Sequence, residues 1–197
     1  LVAVTFFDEH VATRGQQRRF FQVILFCFVI QVALMYVLRD IHGDTYRYLR
    51  SYDRFVGQDF SRAVLESGKE LGFTLLSWLS ANAGVGHRFY LGWIFTLGII
   101  PFILGLKKLY GQGWGYMFIV YVTFPFFLSY FASGMRQAVA MSIAFMAIIH
   151  YGHHKTLLRA LLVIGIAALF HMSVLVLLPA LFALHFFERF LTVPKIL

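Results

Sequence analysis

Residues 20–38, FFQVILFCFVIQVALMYVL, carry no charged side chain. At 1.5 Å per residue a helical run of this length crosses most of a hydrocarbon core of about 30 Å. Within a bilayer the backbone satisfies its own polar groups, so a spanning segment is a helix or part of a closed barrel. Charged residues make up 13% of the chain and hydrophobic residues 60%, against about 25% charged in an ordinary soluble domain. The fold class read from this is all-α: a polytopic transmembrane helix bundle forming one integral membrane domain over residues 1–197. No nucleic-acid partner is expected.

Further spans are expected at residues 89–106, which include Gly98 and Pro101, at 116–132 and at 135–151. Residues 157–187 exceed one untilted span. A break near His171, Met172 and Ser173 divides them into two short passes, with one long tilted helix as the competing reading. The total is about five to six spans. The chain opens on Leu1 and stops at Leu197 after a hydrophobic segment, which reads as one piece of a longer membrane protein. Cys27, alone in an apolar run, supports neither a disulfide framework nor a thiol metal site.

Basic residues in short loops set orientation. Arg14, Arg18 and Arg19 precede the first span and place residues 1–19 in the cytoplasm. Alternation then puts Lys107, Lys108, Lys155, Arg159, Arg189 and Lys195 inside, and Arg136 outside. Residues 39–88 form a long extracytoplasmic segment. Within it, DFSRAVLE reads as a short amphipathic helix. KELGFTLLSWLSANAG is too short for a comfortable span and reads as an interfacial or re-entrant helix.

Arg136 stands at the mouth of an apolar helix, and its nearest acidic residues in sequence are Glu70 and Glu188. A cation is disfavoured at the positive end of a helix unless an anion joins it. Free helix N–H groups with a guanidinium fork suit a phosphate. Ala140, Ala144 and Ala147 continue the same helix face as a small-residue stripe for tight packing, which turns Arg136 toward the bundle interior. Asp44, Glu70 and His171 fall on the same predicted membrane face. Each also has a plain structural reading: Asp44 as a turn or cap residue, Glu70 as a helix cap, and His171 as a core histidine bonded to a carbonyl. Their common face favours a site, with His171 suited to proton transfer and Glu70 or Asp44 orienting or replacing it. The phosphate loop and dinucleotide fingerprints are both absent. His150, His153 and His154 with Lys155 read as a solvated basic loop, not a metal site.

In order along the chain, LRDIHGDTYRY at 38–48, ELGFTLLSWL at 70–79, GMRQAVAMSIAF at 134–145 and ALFHMSVLVLLPAL at 168–181 resemble the EpsG family of Wzy-type polysaccharide polymerases. The matching positions are Arg39, Asp44 and Tyr46, then Glu70, Gly72 and Phe73, then Arg136 and Gln137, then Phe170, His171 and Ser173. Leu71 stands where the family usually has proline, and Asp44 precedes Thr45 where the aspartate often follows a threonine.

The resemblance implies a glycosyltransferase of exopolysaccharide, O-antigen or capsule biosynthesis in the bacterial inner membrane. It would move a growing glycan from a polyprenyl-diphosphate carrier to a lipid-linked repeat unit at the extracytoplasmic face. Neither a cofactor nor a metal is implied. The partners implied are the polyprenyl-diphosphate-linked oligosaccharide, membrane lipid and other polysaccharide-assembly proteins. The roles carried over are His171, Glu70 and Asp44 in catalysis, Arg136, Arg39 and Gln137 on the diphosphate, and Tyr46 and Tyr48 against sugar rings. The alternative is a transporter or flippase module for an anionic lipid-linked glycan, which accounts for Arg136 but gives His171 and Glu70 no reason to share its face.

Overall fold

The computed structural model describes residues 2–190, excepting the side chains of residues 2–15, 17, 128, 130 and 188–190. Ten α-helices and two short 3-10 turns make up the described residues, with no strand among them. Two compact units divide the chain, Leu1–Arg39 and Asp40–Leu197.

The first unit is a single helix, α1 (Val2–Leu38). Its portion Arg18–Leu38 is long and apolar enough to cross a membrane. Phe20, Val23, Phe26, Ile30 and Leu34 are exposed along it, as is Cys27. Arg39 closes the unit: its Nη1 donates to the Tyr36 carbonyl at 2.6 Å and its guanidinium lies over the Tyr36 ring.

The second unit opens with three short helices, α2 (Gly43–Arg54), α3 (Phe60–Ser67) and α4 (Leu71–Asn82). They pack into a small folded layer. Trp78 Nε1 donates to the Gln58 carbonyl at 2.7 Å and Asn82 Nδ2 to the Phe55 carbonyl at 2.9 Å. Tyr52 donates to the Val85 carbonyl, and the Ser77 and Tyr90 hydroxyls meet at 2.6 Å inside. Gly68 ends α3 in the left-handed conformation, φ 56°, which glycine adopts without a Cβ penalty. Twelve residues of α4 reach roughly 18 Å, short of a span.

Helices α5 (His87–Tyr110) and α8 (Met135–His154) form the central pair. Their close approach depends on Gly105, where a Cβ would fall 2.7 Å from the Phe145 ring. After α5 the chain turns at Gly111–Gly113 and doubles back as α6 (Trp114–Thr123), which brings Phe118 and Tyr121 against Phe102 of α5. Pro125 opens α7 (Pro125–Ser133), whose Phe131 packs against Phe95 and closes over Gly98. The chain then bends by 115° into α8. The alanine stripe Ala140, Ala144 and Ala147 is fully buried against Ala160, Ile164 and Ala167 of α9 (Leu157–Ala168). The 157–187 segment breaks at His171, with a 3-10 turn at Met172–Val176 before α10 (Leu177–Phe190).

By length and composition, two stretches can cross a membrane, Arg18–Leu38 and His87–Thr123, or three if α7 and α8 count as one bent span. The five to six spans expected from hydropathy are not resolved as separate full-length helices. Turns at Gly111, Phe124, Gly134 and His171 cut the later apolar stretches into shorter pieces.

Candidate functional site: a carboxylate shared by an arginine and a histidine

The site is built where one helix ends and another begins. The last carbonyls of α9 and the first N–H groups of α4 both lack partners within their own helices. The Leu169 carbonyl accepts from the N–H of Gly72 at 2.7 Å and of Phe73 at 3.3 Å, so the two ends satisfy each other. Only glycine permits this docking, because a Cβ at residue 72 would lie 2.8 Å from the Leu169 oxygen and 2.9 Å from its Cβ.

The docking sets Glu70 beside His171. Glu70 occupies the N-cap position of α4 in extended conformation but makes no capping bond, which corrects the cap reading. Its carboxylate has other partners. Oε1 accepts from His171 Nδ1 at 2.7 Å and from the Met172 N–H at 3.3 Å. Oε2 accepts from Arg136 Nη1. Arg136 therefore does have a carboxylate, from a residue 66 positions away in sequence. The Glu70, Arg136 and His171 side chains are 14%, 22% and 26% exposed, reachable but largely shielded from solvent.

Arg136 is further held from α2, its Nε donating to the Tyr48 hydroxyl at 3.2 Å. Tyr48 in turn packs on Phe73, the residue after Gly72, with ring centroids 5.4 Å apart. Burial pushes the Glu70 carboxyl up, but its own backbone N–H, His171, Arg136 and the Met172 N–H outweigh this and hold it below the usual range. Glu70 is thus ionised at neutral pH. An ionised carboxylate only accepts, so His171 donates to it from Nδ1 and Nε2 is the ring nitrogen that Glu70 does not hold. The arrangement is a carboxylate-oriented imidazole beside a guanidinium.

The other expected residues fall differently. Asp44 lies in the first turn of α2 and pairs with Arg47 at 3.3 Å, both largely exposed. Its carboxylate is engaged by its own helix, not by His171. Tyr46 is 57% exposed, and Gln137 is half-buried one position beyond Arg136. Arg39 belongs to the first unit. Tyr48, expected to carry sugar, here touches Arg136 with its hydroxyl.

Lys69 is the residue that sequence reading passed over. Its Nζ lies 4.9 Å from the centre of the Tyr48 ring and 6.0 Å from that of Phe73, and the Arg136 guanidinium lies 5.6 Å from the same Tyr48 ring. Burial, and then the charges of Arg136 and Arg54, lower its pKa to about 8. Its only signal in the sequence is its place immediately before Glu70 in KELGF.

The EpsG family model matches residues 20–193. No curated protein matches the chain, and no solved structure does. A match over nearly the whole chain, in a helical structure with membrane-crossing stretches, decides membership: the chain belongs to the EpsG family, a family like the Wzy-type polysaccharide polymerases.

Proposed function

We propose that this chain carries the donor-side chemistry of a polysaccharide polymerase, transferring a growing glycan from a polyprenyl diphosphate to the acceptor hydroxyl of a lipid-linked repeat unit. The observation that carries this reading is the Glu70 carboxylate bridging Arg136 and His171. Glu70 fixes the His171 ring, so that Nε2 takes the proton as the acceptor oxygen attacks the anomeric carbon of the donor. The bond from that carbon to the diphosphate breaks, and the carrier leaves as polyprenyl diphosphate. Arg136 has five N–H bonds. One faces Tyr48 and one faces Glu70, and the rest meet the charge on the leaving diphosphate. The imidazolium formed in the step is stabilised by the carboxylate already bonded to it.

The proposed topology sets this chemistry outside the cytoplasm. Arg136 stands at the start of α8, while His150 near its end meets Lys108 of α5 at 3.1 Å. At 1.5 Å per residue those positions are roughly 21 Å apart, at opposite ends of one helix. Cysteines replacing the exposed Ser61 and Ser133 should react with an impermeant reagent from outside, and one replacing the exposed Gln112 should not, in a protein whose exposed Cys27 has first been removed. Reaction at Gln112 alone would reverse the sidedness. The activity itself is tested with full-length protein in liposomes containing lipid-linked oligosaccharide. Chain growth supports the polymerase, and translocation without growth would overturn it in favour of a transporter.

A further inference from the structure

At the end of α8 remote from Arg136, helices α5, α8 and α9 enclose an open groove of about 540 Å³. Leu104, Met146, Ala147, Leu162 and Val163 form its apolar part, and Lys108, His150 and Arg159 its basic part. Lys108 directs its Nζ to His150 Nδ1 at 3.1 Å. An imidazole nitrogen that accepts from an ammonium is unprotonated, so His150 offsets none of the charge there. Among the described residues, neither Lys108 nor Arg159 pairs with a carboxylate. Arg159 also lies in the first turn of α9, where the positive end of the helix disfavours a cation and favours an anion. Leu104 and Leu162 are exposed at 48% and 60%, so the apolar part of the groove opens to its surroundings beside the basic part.

We infer that this groove binds an anionic glycerophospholipid in the membrane leaflet opposite Arg136. The phosphate sits between Lys108 and Arg159, and the top of one acyl chain lies along Leu104, Ala147 and Val163. Charge complementarity favours this occupant over a further apolar helix, because a helix would leave two cations without an anion. A basic cluster beside an apolar cleft between membrane helices suits a phospholipid headgroup.

The test is native mass spectrometry of the full-length protein in detergent with added phosphatidylglycerol or phosphatidylcholine. Retention of phosphatidylglycerol in preference to phosphatidylcholine is expected. The double variant Lys108→Gln, Arg159→Gln should weaken retention on the order of ten- to thirtyfold, from loss of two charge contacts at a membrane surface. Lys107→Gln is the control, since that side chain lies over the Trp114 ring instead. Leu104→Trp should also weaken retention, by filling the groove with the charges intact. Inorganic phosphate should not displace the lipid, because it lacks the acyl chain. Equal retention of both lipids, full retention in the double variant, displacement by phosphate, or an unaffected Leu104→Trp protein would each overturn the inference.

Discussion

Replacing Gly72 by alanine tests the structural basis of the site without touching a charged group. The added Cβ would lie 2.8 Å from the Leu169 oxygen and 3.1 Å from its carbonyl carbon, whereas ordinary contact begins near 3.4 Å. These neighbours are backbone atoms and cannot rotate away, so restoring ordinary contact withdraws α4 by 3.4 minus 2.8, or about 0.6 Å. The Phe73 N–H bond to Leu169, already 3.3 Å, then passes beyond hydrogen-bonding range. Forced overpacking of this kind typically costs about 1–3 kcal/mol. Glu70, two residues upstream, moves with the helix end and loosens its hold on His171. A displacement approaching 1 Å can lower a rate by about a hundredfold. Melting in detergent and glycan growth in liposomes should therefore both fall, and activity should stay low at temperatures where the variant is still folded. Gly86→Ala is the control: no atom lies within 4 Å of its added Cβ and its φ is −67°, so both readouts should hold. Parent-like melting and activity in the Gly72→Ala protein would refute the docking of α4 on α9 as the device that positions Glu70.

Arg136→Lys keeps the charge but not the guanidinium fork. Chain growth should fall about a hundred- to thousandfold with protein levels unchanged, and parent activity would reduce Arg136 to a snorkelling anchor. His171→Gln should bind the lipid-linked donor yet turn over about a hundred- to ten-thousandfold more slowly. Parent turnover in that variant would remove His171 from the chemistry. Lys69, with a pKa lowered to about 8 by burial and by the charges of Arg136 and Arg54, beside the Tyr48 ring, is charged below that pH and loses its proton above it. If it helps hold the diphosphate, donor affinity should decline as pH rises through about 8, and Lys69→Gln should abolish that decline. A titration of donor binding against pH in both proteins decides it.

The helical class and most breakpoints are legible in the sequence because they follow from local causes. Glycines turn the chain at 111 and 134, and the stretch past residue 157 is too long for one helix, whereas the break before Pro125 falls inside the span expected at 116–132. The burial of Ala140, Ala144 and Ala147 is equally local, set by helical spacing. The partner of Arg136 is not. Glu70 reaches it only because Gly72 docks on Leu169, a contact between residues 97 positions apart that no period or spacing encodes. The same distance effect hid Lys69 and recast Tyr48, whose polar end meets an arginine on a different helix. Asp44 shares a predicted membrane face with the site, and its carboxylate pairs locally with Arg47. A common face is a weaker constraint than a common contact.

The shared carboxylate carries a consequence for how the two halves of the proposed reaction are linked. In the resting site Glu70 balances Arg136 and orients His171 at the same time. When the acceptor proton moves to His171, the imidazolium needs that carboxylate more strongly. As the diphosphate leaves, Arg136 needs it less, because a stronger anion has arrived. The demand on Glu70 therefore moves from one oxygen to the other as the reaction proceeds. Interactions that strengthen only in the transition state are the ones that raise turnover. Residues acting through one such group do not contribute independently. The double variant Arg136→Lys, His171→Gln should accordingly lose little more than the worse of the two single variants. Independent groups would instead multiply their losses, to on the order of ten-thousandfold or more from the single-variant ranges above. Single-turnover rates with saturating lipid-linked donor separate these outcomes, and multiplied losses would mean that Glu70 merely neighbours both residues without coupling them.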